Sequence, residues 1–426
     1  MKKNLLHISI TSKGGAGKAA SNVYQELKKI GYPSQMITLD PSDKNKGITT
    51  IKNISIFKRK IIKVFFRHRK PKNNDYQMKG IEEKTNYISS KTIIKKIEIK
   101  PDFIFIYWIS GFLNAKNLYE IAEKYNATII LSLTDMVSFT GGCHFALDCL
   151  NYTKGCGSCP GLFSSSSNDL SNKVLNYKNT FYNKTNMAVV VGTSTLRKQV
   201  ESSFLLRNKP IFDIKYHVDV ENFSNGNKNN IRSKYGIDSN KKVLFFGATQ
   251  ITQKRKGFSY LVESLDKLFL KLPNIEKKNI LLLVAGSGYE ELCERLPFEY
   301  YSLGFLKTQT ELQEAYQLSD IFLNTSIDDI GPFMLVEAML SSCIIVSYNV
   351  GLANDLIINE KSGYLVSNKN SSSYAEAINK ALKIKGKDKK NILEEAYKKA
   401  KNDHEWKSQH LQYENMFNYL TNNKFI

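Results

Sequence analysis

Short apolar runs alternate with longer amphipathic segments along the first half of the chain. Residues 5–10 form an apolar run, a glycine-rich turn follows, and helical periodicity between residues 20 and 30 leads to another run at 35–39. This order predicts a strand, a helix and a second, parallel strand. Four later runs predict further strands of the same sheet, at residues 103–108, 128–133, 187–192 and 211–215.

A second series of the same kind follows an asparagine-rich stretch at residues 222–230, which has no periodicity and is typical of a linker. Its predicted strands are at residues 242–247, 279–285, 321–324 and 343–347. The two series predict an α/β protein of two doubly wound, Rossmann-like domains that face each other across a cleft. We place the N-terminal domain at residues 1–219 and the C-terminal domain at residues 220–400.

The last part of the chain, residues 401–426, carries Trp406, Tyr413, Phe417 and Leu420 at helical spacing. We predict a terminal helix that packs across both domains or, as the alternative, onto the second domain alone. The length of 426 residues agrees with two domains, because a single core rarely serves so long a chain. The apolar runs are strand-sized and the first residues lack a signal-peptide pattern, so we expect a cytoplasmic protein without a membrane span.

The net charge of +21 predicts contact with a polyanion. Between residues 55 and 70, Phe57 and Ile61 fall on one helical face while Arg59 and Lys63 fall on another. One interpretation is an amphipathic helix on an anionic membrane, at the inner face of the plasma membrane; the other is a solvated surface helix. A basic nucleic-acid-binding protein is an alternative that rests on charge alone. Because the chain has no recognised nucleic-acid-binding motif, we expect no such partner.

Two acidic residues flank a predicted helix start in the second half. Gly331 and Pro332 are a helix-start signal, so Glu337 is expected early on the helix and Asp329 in the loop before it. The amino end of a helix offers free N–H groups to a diphosphate, and a nearby carboxylate accepts hydrogen bonds from ribose hydroxyls. A capped helix with a solvated glutamate is the alternative.

This segment resembles the family 4 glycosyltransferases of the GT-B type, whose hallmark is two acids separated by seven residues. Asp329 and Glu337 have that spacing, with Asp at the first position where Glu is more usual. The resemblance implies a nucleotide-sugar donor, retention of anomeric configuration, a donor ribose held by Glu337 and a transferred sugar contacted by Asp329 or its neighbour.

Other segments between residues 240 and 366 resemble the same family. Arg255 and Lys256 lie where basic side chains neutralise the leaving diphosphate, which makes a cofactor unnecessary for catalysis. A glycine turn follows the next strand, and the segment ending at Phe305 resembles the family's segment that borders the nucleotide base. The implied donor-binding residues are Gly15, Arg255, Lys256, Gly286, Gly288, Phe305, Gly331, Pro332 and Glu337.

The first half resembles a narrower subgroup that builds capsules, exopolysaccharides and O-antigens. The matching run, residues 133–144, contains Thr-Gly-Gly-Cys-His, and many relatives have His where this chain has Thr134. Asp135 is therefore the first candidate for a polar group near the reacting centre and His144 the second, beside Asp329 and Glu337. The resemblance implies a lipid-linked or growing oligosaccharide as acceptor.

Four cysteines lie within a predicted insertion at about residues 141–162. Cys143, Cys149, Cys156 and Cys159 end in a Cys-x-x-Cys spacing, which is typical of zinc knuckles. A structural zinc, with His144 able to replace one thiol, is one interpretation. Four reduced thiols in a packed subdomain is the other, since the cytoplasm disfavours disulfides.

The loop from Lys13 to Lys18 suggests a different class of enzyme, because it resembles the deviant phosphate loop of partitioning ATPases. Ala19 follows where those enzymes need Ser or Thr to hold magnesium. We therefore expect the backbone near Gly15 to form a turn that approaches the donor diphosphate or the acceptor, with an ATPase as the alternative. Another alternative is a weakly catalytic sugar-binding homologue, suggested by Thr134, Ala248 and Asp329.

Overall fold

The computed structural model describes residues 2–51, 73–85, 87–223, 228–288, 293–331 and 333–423. Within them, two parallel sheets have the strand orders β3-β2-β1-β4-β5-β6-β7 and β10-β9-β8-β11-β12-β13. In each sheet the strand order reverses next to the first strand of its series, which is the doubly wound arrangement. The prediction of two doubly wound α/β domains is therefore confirmed.

The first sheet consists of short buried strands with helices between them. Its strands are β1 Leu5–Ile8, β2 Ser34–Thr38, β3 Thr49–Thr50, β4 Phe103–Ile106, β5 Thr128–Leu133, β6 Met187–Val191 and β7 Ile211–Asp213. The helices are α1 Gly14–Lys29, α2 Ser90–Ile94, α3 Ala115–Tyr125, α4 Leu170–Tyr182 and α5 Ser194–Ser202. Strands such as β4 and β5 are buried throughout, because helices cover both faces of a parallel sheet.

The glycine-rich segment after β1 differs from the prediction of a turn. Gly14 has a φ of +69° and begins α1, so Gly15 lies in the first helical turn. Gly17 explains the tight start of the helix, because a Cβ there would lie 2.6 Å from the Thr11 carbonyl oxygen. The glycines thus serve close packing of the helix against the loop that precedes it.

The second sheet has longer strands and a more extensive helical cover. Its strands are β8 Lys242–Gln250, β9 Ile280–Ser287, β10 Glu299–Gly304, β11 Ile321–Asn324, β12 Ile344–Tyr348 and β13 Tyr364–Val366. The helices of this part are α6 Lys228–Lys234, α7 Phe258–Lys271, α8 Asn274–Lys278, α9 Gln309–Leu318, α10 Phe333–Leu340, α11 Ala353–Leu356, α12 Ser371–Lys383 and α13 Gly386–His404. The helix α14 Trp406–Asn422 follows them along the chain.

Two apolar cores lie on opposite faces of this second sheet. Leu244 and Phe246 belong to one core, whereas Val243 and Phe245 belong to the other. Successive side chains of a strand point to opposite faces, so a continuous apolar run is what a strand between two cores requires.

The chain divides into two compact units. Unit 1 comprises Met1–His217 with Gln409–Ile426, and unit 2 comprises Val218–Ser408. Most of α14 thus belongs to unit 1, where Phe417 stacks on Phe103 at 5.0 Å and lies 5.3 Å from the Tyr32 ring. The predicted packing of this helix across both domains stays a prediction.

Among the described residues, none of the helices combines the length and the apolar character that a membrane span needs. The basic amphipathic stretch at residues 55–70 lies outside the described residues.

Candidate active site

Two loops at the carboxyl ends of β8 and β11 bring three charged side chains together. Arg255 and Lys256 lie in a short 3-10 turn just before α7, and Asp329 lies in the loop after β11. One carboxylate oxygen of Asp329 is 2.9 Å from Arg255 Nη1 and 2.5 Å from Lys256 Nζ. We call Arg255, Lys256 and Asp329 the charged cluster. Sequence reasoning proposed all three residues separately, and the structure unites them.

The backbone fixes the charged cluster through contacts between the two loops. The Ile327 N–H donates to the Arg255 carbonyl at 2.7 Å, and the Thr325 hydroxyl donates to the Lys256 carbonyl at 3.1 Å. Gly257 permits this approach, because a Cβ there would lie 1.8 Å from the Thr325 carbonyl oxygen. The cluster is therefore preorganised by the loops rather than by long, free side chains.

The electrostatics of the charged cluster favour an anion. Burial alone raises the pKa of the Asp329 carboxyl, but Lys256 and then Arg255 outweigh that effect and hold the pKa well below its usual range. Burial lowers the pKa of the Lys256 ammonium, an effect that Asp329 opposes and Arg255 reinforces. Two cations thus share one carboxylate, and the cluster keeps an excess of positive charge.

Glu337 lies on α10 in a buried environment. It is 2% exposed, and its carboxylate accepts a hydrogen bond of 2.9 Å from the hydroxyl of Tyr316 on α9. Tyr316 is itself fully buried. Sequence reasoning missed this tyrosine, whose helical spacing from Leu312 is typical of an ordinary core position. That Glu337 holds a donor ribose stays a prediction.

The glycine turn expected after the second strand of unit 2 shapes the end of β9. Gly286 has a φ of +145°, and a Cβ there would lie 2.0 Å from the Ala248 carbonyl oxygen of β8. Gly288 has a φ of +74°. Phe305 directly follows β10 and is 51% exposed. Gly331 lies two residues before α10, while Pro332 lies outside the described residues.

Unit 1 contains a second polar group, the Asp–His pair formed by Asp135 and His144. One Asp135 oxygen accepts a 2.6 Å hydrogen bond from the Val137 N–H, and the other lies 4.0 Å from His144 Nδ1. The Trp108 ring meets His144 edge-on at 4.8 Å. The His144 N–H donates to the Gln77 carbonyl at 2.7 Å. The structure thus brings together the two polar candidates of the first half.

A buried lysine that sequence reasoning missed supports the same loop. Lys178 on α4 is 1% exposed, and its ammonium donates to the carbonyls of Val137 at 2.5 Å and Thr140 at 3.0 Å. It lies four residues after Val174 and four before Tyr182, on the buried face of the helix. A lysine on an apolar helical face is the signal that could have revealed it.

The loop before α1 faces carboxylates. Ser12 donates through its N–H and its hydroxyl to Asp43, at 2.8 and 2.6 Å. Lys13 donates to Ser42 at 2.8 Å and lies 3.8 Å from an Asp40 oxygen. Around Gly15 an added Cβ would meet no atom within 4 Å. Two acids beside this loop disfavour the phosphate chain of ATP, so the geometry gives the ATPase alternative no support.

The four cysteines of the insertion are free thiols, with Cys143 and Cys159 buried and Cys149 and Cys156 partly buried. All four line one small cavity. Over the part of the chain that the structure describes, no three His, Cys, Asp or Glu side chains are grouped so as to hold a metal ion.

Comparison with known proteins gives the class of this fold. Residues 227–399, most of unit 2, match the family model of the glycosyl transferases group 1. The chain resembles the crystal structure of Anabaena HepE in complex with UDP and glucose, with a TM-score of 0.66, 13% identity and coverage of 98% of this chain and 99% of HepE. It also resembles the sucrose-phosphate synthase of Thermosynechococcus elongatus, with a TM-score of 0.70, 13% identity and coverage of 99% and 100%.

Curated relatives match over shorter stretches. An uncharacterized glycosyltransferase of Methanocaldococcus jannaschii is 27% identical over 53% of this chain and 57% of its own length. The D-inositol 3-phosphate glycosyltransferase of Corynebacterium urealyticum is 25% identical over 46% of this chain and 48% of its own length. The chain spans about half the length of the curated relatives it matches.

These matches define the whole chain as a GT-B fold. Within it, the match to the glycosyl transferases group 1 model is confined to residues 227–399, and the Methanocaldococcus and Corynebacterium relatives, which match part of the chain, are glycosyltransferases by name. Neither the ATPase nor the nucleic-acid-binding alternative gains support from these comparisons.

Proposed function

We propose that this protein is a retaining glycosyltransferase of family 4, which moves a sugar from a nucleotide-sugar donor to an oligosaccharide acceptor. Unit 2 binds the donor and unit 1 binds the acceptor. The acceptor is lipid-linked or a growing oligosaccharide, and the product is a cell-surface polysaccharide such as a capsule, an exopolysaccharide or an O-antigen.

The observation that carries this proposal is the charged cluster inside the region that matches the family model. Breaking the bond between sugar and nucleotide leaves negative charge on a diphosphate. Lys256 and Arg255, already held in place, stabilise that charge where it develops, and preorganised groups of this kind are the largest contributors to many enzymatic rates. The carboxylate of Asp329 then exchanges its cations for hydroxyls of the transferred sugar.

Other observations support the finer parts of the proposal. HepE has been crystallised with UDP-glucose, which makes a UDP-sugar the first donor to test. The Asp–His pair lies in the segment that resembles the polysaccharide-building subgroup, and its polar atoms suit a sugar hydroxyl. Charge compensation by Lys256 and Arg255 makes a catalytic metal unnecessary in this mechanism.

The decisive experiment is a donor screen followed by product analysis. UDP-, GDP-, ADP- and dTDP-sugars are compared with magnesium ATP by thermal shift, because a ligand that binds only the folded state raises the melting temperature. We expect one nucleotide-sugar to shift the transition and to be turned over with retention, as shown by NMR of the anomeric proton. A shift with magnesium ATP alone would refute the proposal, and an inverted product would refute retention.

A peripheral position at the inner face of the plasma membrane follows from the net charge of +21 and the basic stretch at residues 55–70. We expect the full chain to sediment with vesicles containing phosphatidylglycerol and to remain in solution with phosphatidylcholine alone. Equal binding to both vesicles would remove the basis for this localisation.

A further inference from the structure

The four thiols of unit 1 surround a common space. One cavity of about 10 Å³ is lined by all four residues, Cys143, Cys149, Cys156 and Cys159. That volume is room for a single small species. Four metal-binding side chains around one such space are a different feature from the Asp–His pair, to which His144 belongs through its contacts with Asp135 and Trp108.

The backbone of the insertion is held in an unusual conformation around these thiols. Cys156 and Ser158 have positive φ values of 58° and 44°, and the flanking Gly155 and Gly157 have 108° and 91°. Non-glycine residues in this region cost free energy and persist only when surrounding contacts impose them. The loop therefore turns tightly at the Cys-x-x-Cys segment, which brings Cys156 and Cys159 to the same cavity.

Polar contacts fix this tight turn. Asn151 donates to the Gly157 carbonyl at 3.0 Å, Asn172 donates to the Gly155 carbonyl at 3.0 Å, and the Cys159 N–H donates to Asp169 at 2.9 Å. Such contacts behind the ligands orient them in metal sites.

A backbone N–H group also points at one of the sulfurs. The Gly141 N–H donates to Cys156 Sγ at 3.3 Å. N–H donors stabilise a sulfur that carries negative charge. A thiolate bound to a metal is the species they would favour.

A buried cation lies near the cavity. The Lys178 ammonium donates to two carbonyls, and its charge acts on Cys143 and Cys156. The carboxyl of Glu83 is the first of the charges that act on this ammonium. The two hydrogen bonds of Lys178 hold the loop that leads into Cys143.

We propose that Cys143, Cys149, Cys156 and Cys159 bind one structural Zn²⁺ ion as four thiolates. Each thiol releases its proton to solvent as its sulfur forms a bond to the metal. The described side chains are not grouped for a metal as they stand, so binding turns the sulfurs inward by rotation about χ1, the single rotatable side-chain bond of cysteine. A closed set of four protein ligands is typical of structural rather than catalytic zinc.

The first test measures the metal content of the full chain. Protein purified without chelators and without a metal-affinity column is analysed by mass spectrometry of the elements, and we expect about one zinc per chain. Cys149→Ser and Cys156→Ser should each lose the zinc and melt at a lower temperature. Cys343→Ala is the matched control, since it removes a buried thiol of unit 2 and should keep the zinc.

A second test does not need folded variants. Cobalt(II) replaces zinc in the wild-type chain, and its visible spectrum should report tetrahedral thiolate coordination. Metal-free protein with all six cysteines reactive after denaturation would overturn the proposal in favour of reduced thiols. Metal-free protein in which four of the cysteines form disulfides and no longer react would also overturn it. Neither result depends on sugar transfer, so failure here is distinguishable from failure of the proposed function.

Discussion

The charged cluster of unit 2 and the Asp–His pair of unit 1 use a carboxylate in different ways. Asp329 touches two cations, at 2.9 and 2.5 Å, and its pKa is held far down. Asp135 lies 4.0 Å from His144 and accepts its short hydrogen bond from the Val137 backbone. The carboxylate of the cluster therefore holds two cationic side chains in place, whereas the carboxylate of the pair is bound to the backbone of its own loop.

This difference suggests what each unit contributes to the reaction. An anionic diphosphate can replace Asp329 as the partner of Lys256 and Arg255, while hydroxyls of the transferred sugar donate to the Asp329 carboxylate in their place. A neutral sugar hydroxyl suits the Asp–His pair, where an acceptor and a ring nitrogen lie close together and the nearby Lys178 ammonium donates to backbone carbonyls. The predictions below test this division, beginning with the charge of the cluster.

Removing the ammonium of Lys256 should have the largest effect. We expect Lys256→Met to lower kcat for sugar transfer by about 100- to 1000-fold, because one preorganised charge at the leaving group is lost. Steady-state kinetics with the donor found in the screen measure this. Lys271→Met is the matched control, since that lysine is 54% exposed on α7 and pairs with the exposed Glu376. Equal activity of the two variants would place the leaving group elsewhere.

Removing the charge of Asp329 should destabilise the fold. Asp329→Asn takes away the carboxylate charge that Lys256 and Arg255 contact, and we expect the free energy of unfolding to fall by about 3 kcal/mol at neutral pH. The pKa of Asp329 is lower in the folded state than in the unfolded state, so its stabilisation is present above the unfolded value of about 3.9 and is lost as the pH falls below it.

Urea unfolding of wild type and Asp329→Asn at several pH values measures this effect. The difference between the two proteins should be constant near neutrality and shrink below about pH 4. Asp266→Asn, on the exposed face of α7, is the control and should unfold like the wild type at every pH. A difference that grew on acidification would contradict the assigned direction of the pKa shift.

The sequence predicted buried strands well and edge strands poorly. The run at 128–133 coincides with β5, because a strand between two apolar layers needs a continuous apolar sequence. The edge strand β10 was not predicted as a strand. Its segment was instead expected to border the nucleotide base of the donor. Its Tyr300 and Tyr301 are 41% and 40% exposed, so no hydrophobic pattern reveals it. Its identity as a strand comes from hydrogen bonding to β9, which is a property of the folded chain.

The candidate site shows the same limit. Asp329, Arg255 and Lys256 could be proposed from local motifs, since each lies next to a strand end or a helix start. The contact of Glu337 with Tyr316 joins residues 21 positions apart, and that of Lys178 with Val137 joins residues 41 positions apart. Such contacts depend on how helices pack on the sheet, which spacing along one helix does not determine.

Removing the imidazole of the Asp–His pair should have a moderate effect on sugar transfer, and the effect should be confined to the use of the acceptor. We expect His144→Ala to reduce transfer by about tenfold, the loss of one hydrogen bond to the acceptor. The thermal shift caused by the donor should be unchanged, because the donor is assigned to unit 2. Initial rates at varied acceptor concentration, together with the donor thermal shift, separate the two. A variant that lost donor binding and kept its acceptor dependence would reverse the assignment of the units.

The smallest expected effect concerns the buried partner of Glu337. Tyr316→Phe and Tyr374→Phe each remove one buried hydroxyl from unit 2, the first from the Glu337 carboxylate at 2.9 Å and the second from the Val346 carbonyl at 2.7 Å. Each should lower the free energy of unfolding by about 1 kcal/mol. If Glu337 holds the donor ribose, only Tyr316→Phe should also weaken donor binding, because it removes a hydrogen bond that orients that carboxylate. Calorimetric titration of the donor into both variants decides this, and equal affinities would assign Glu337 to the stability of α9 and α10 alone.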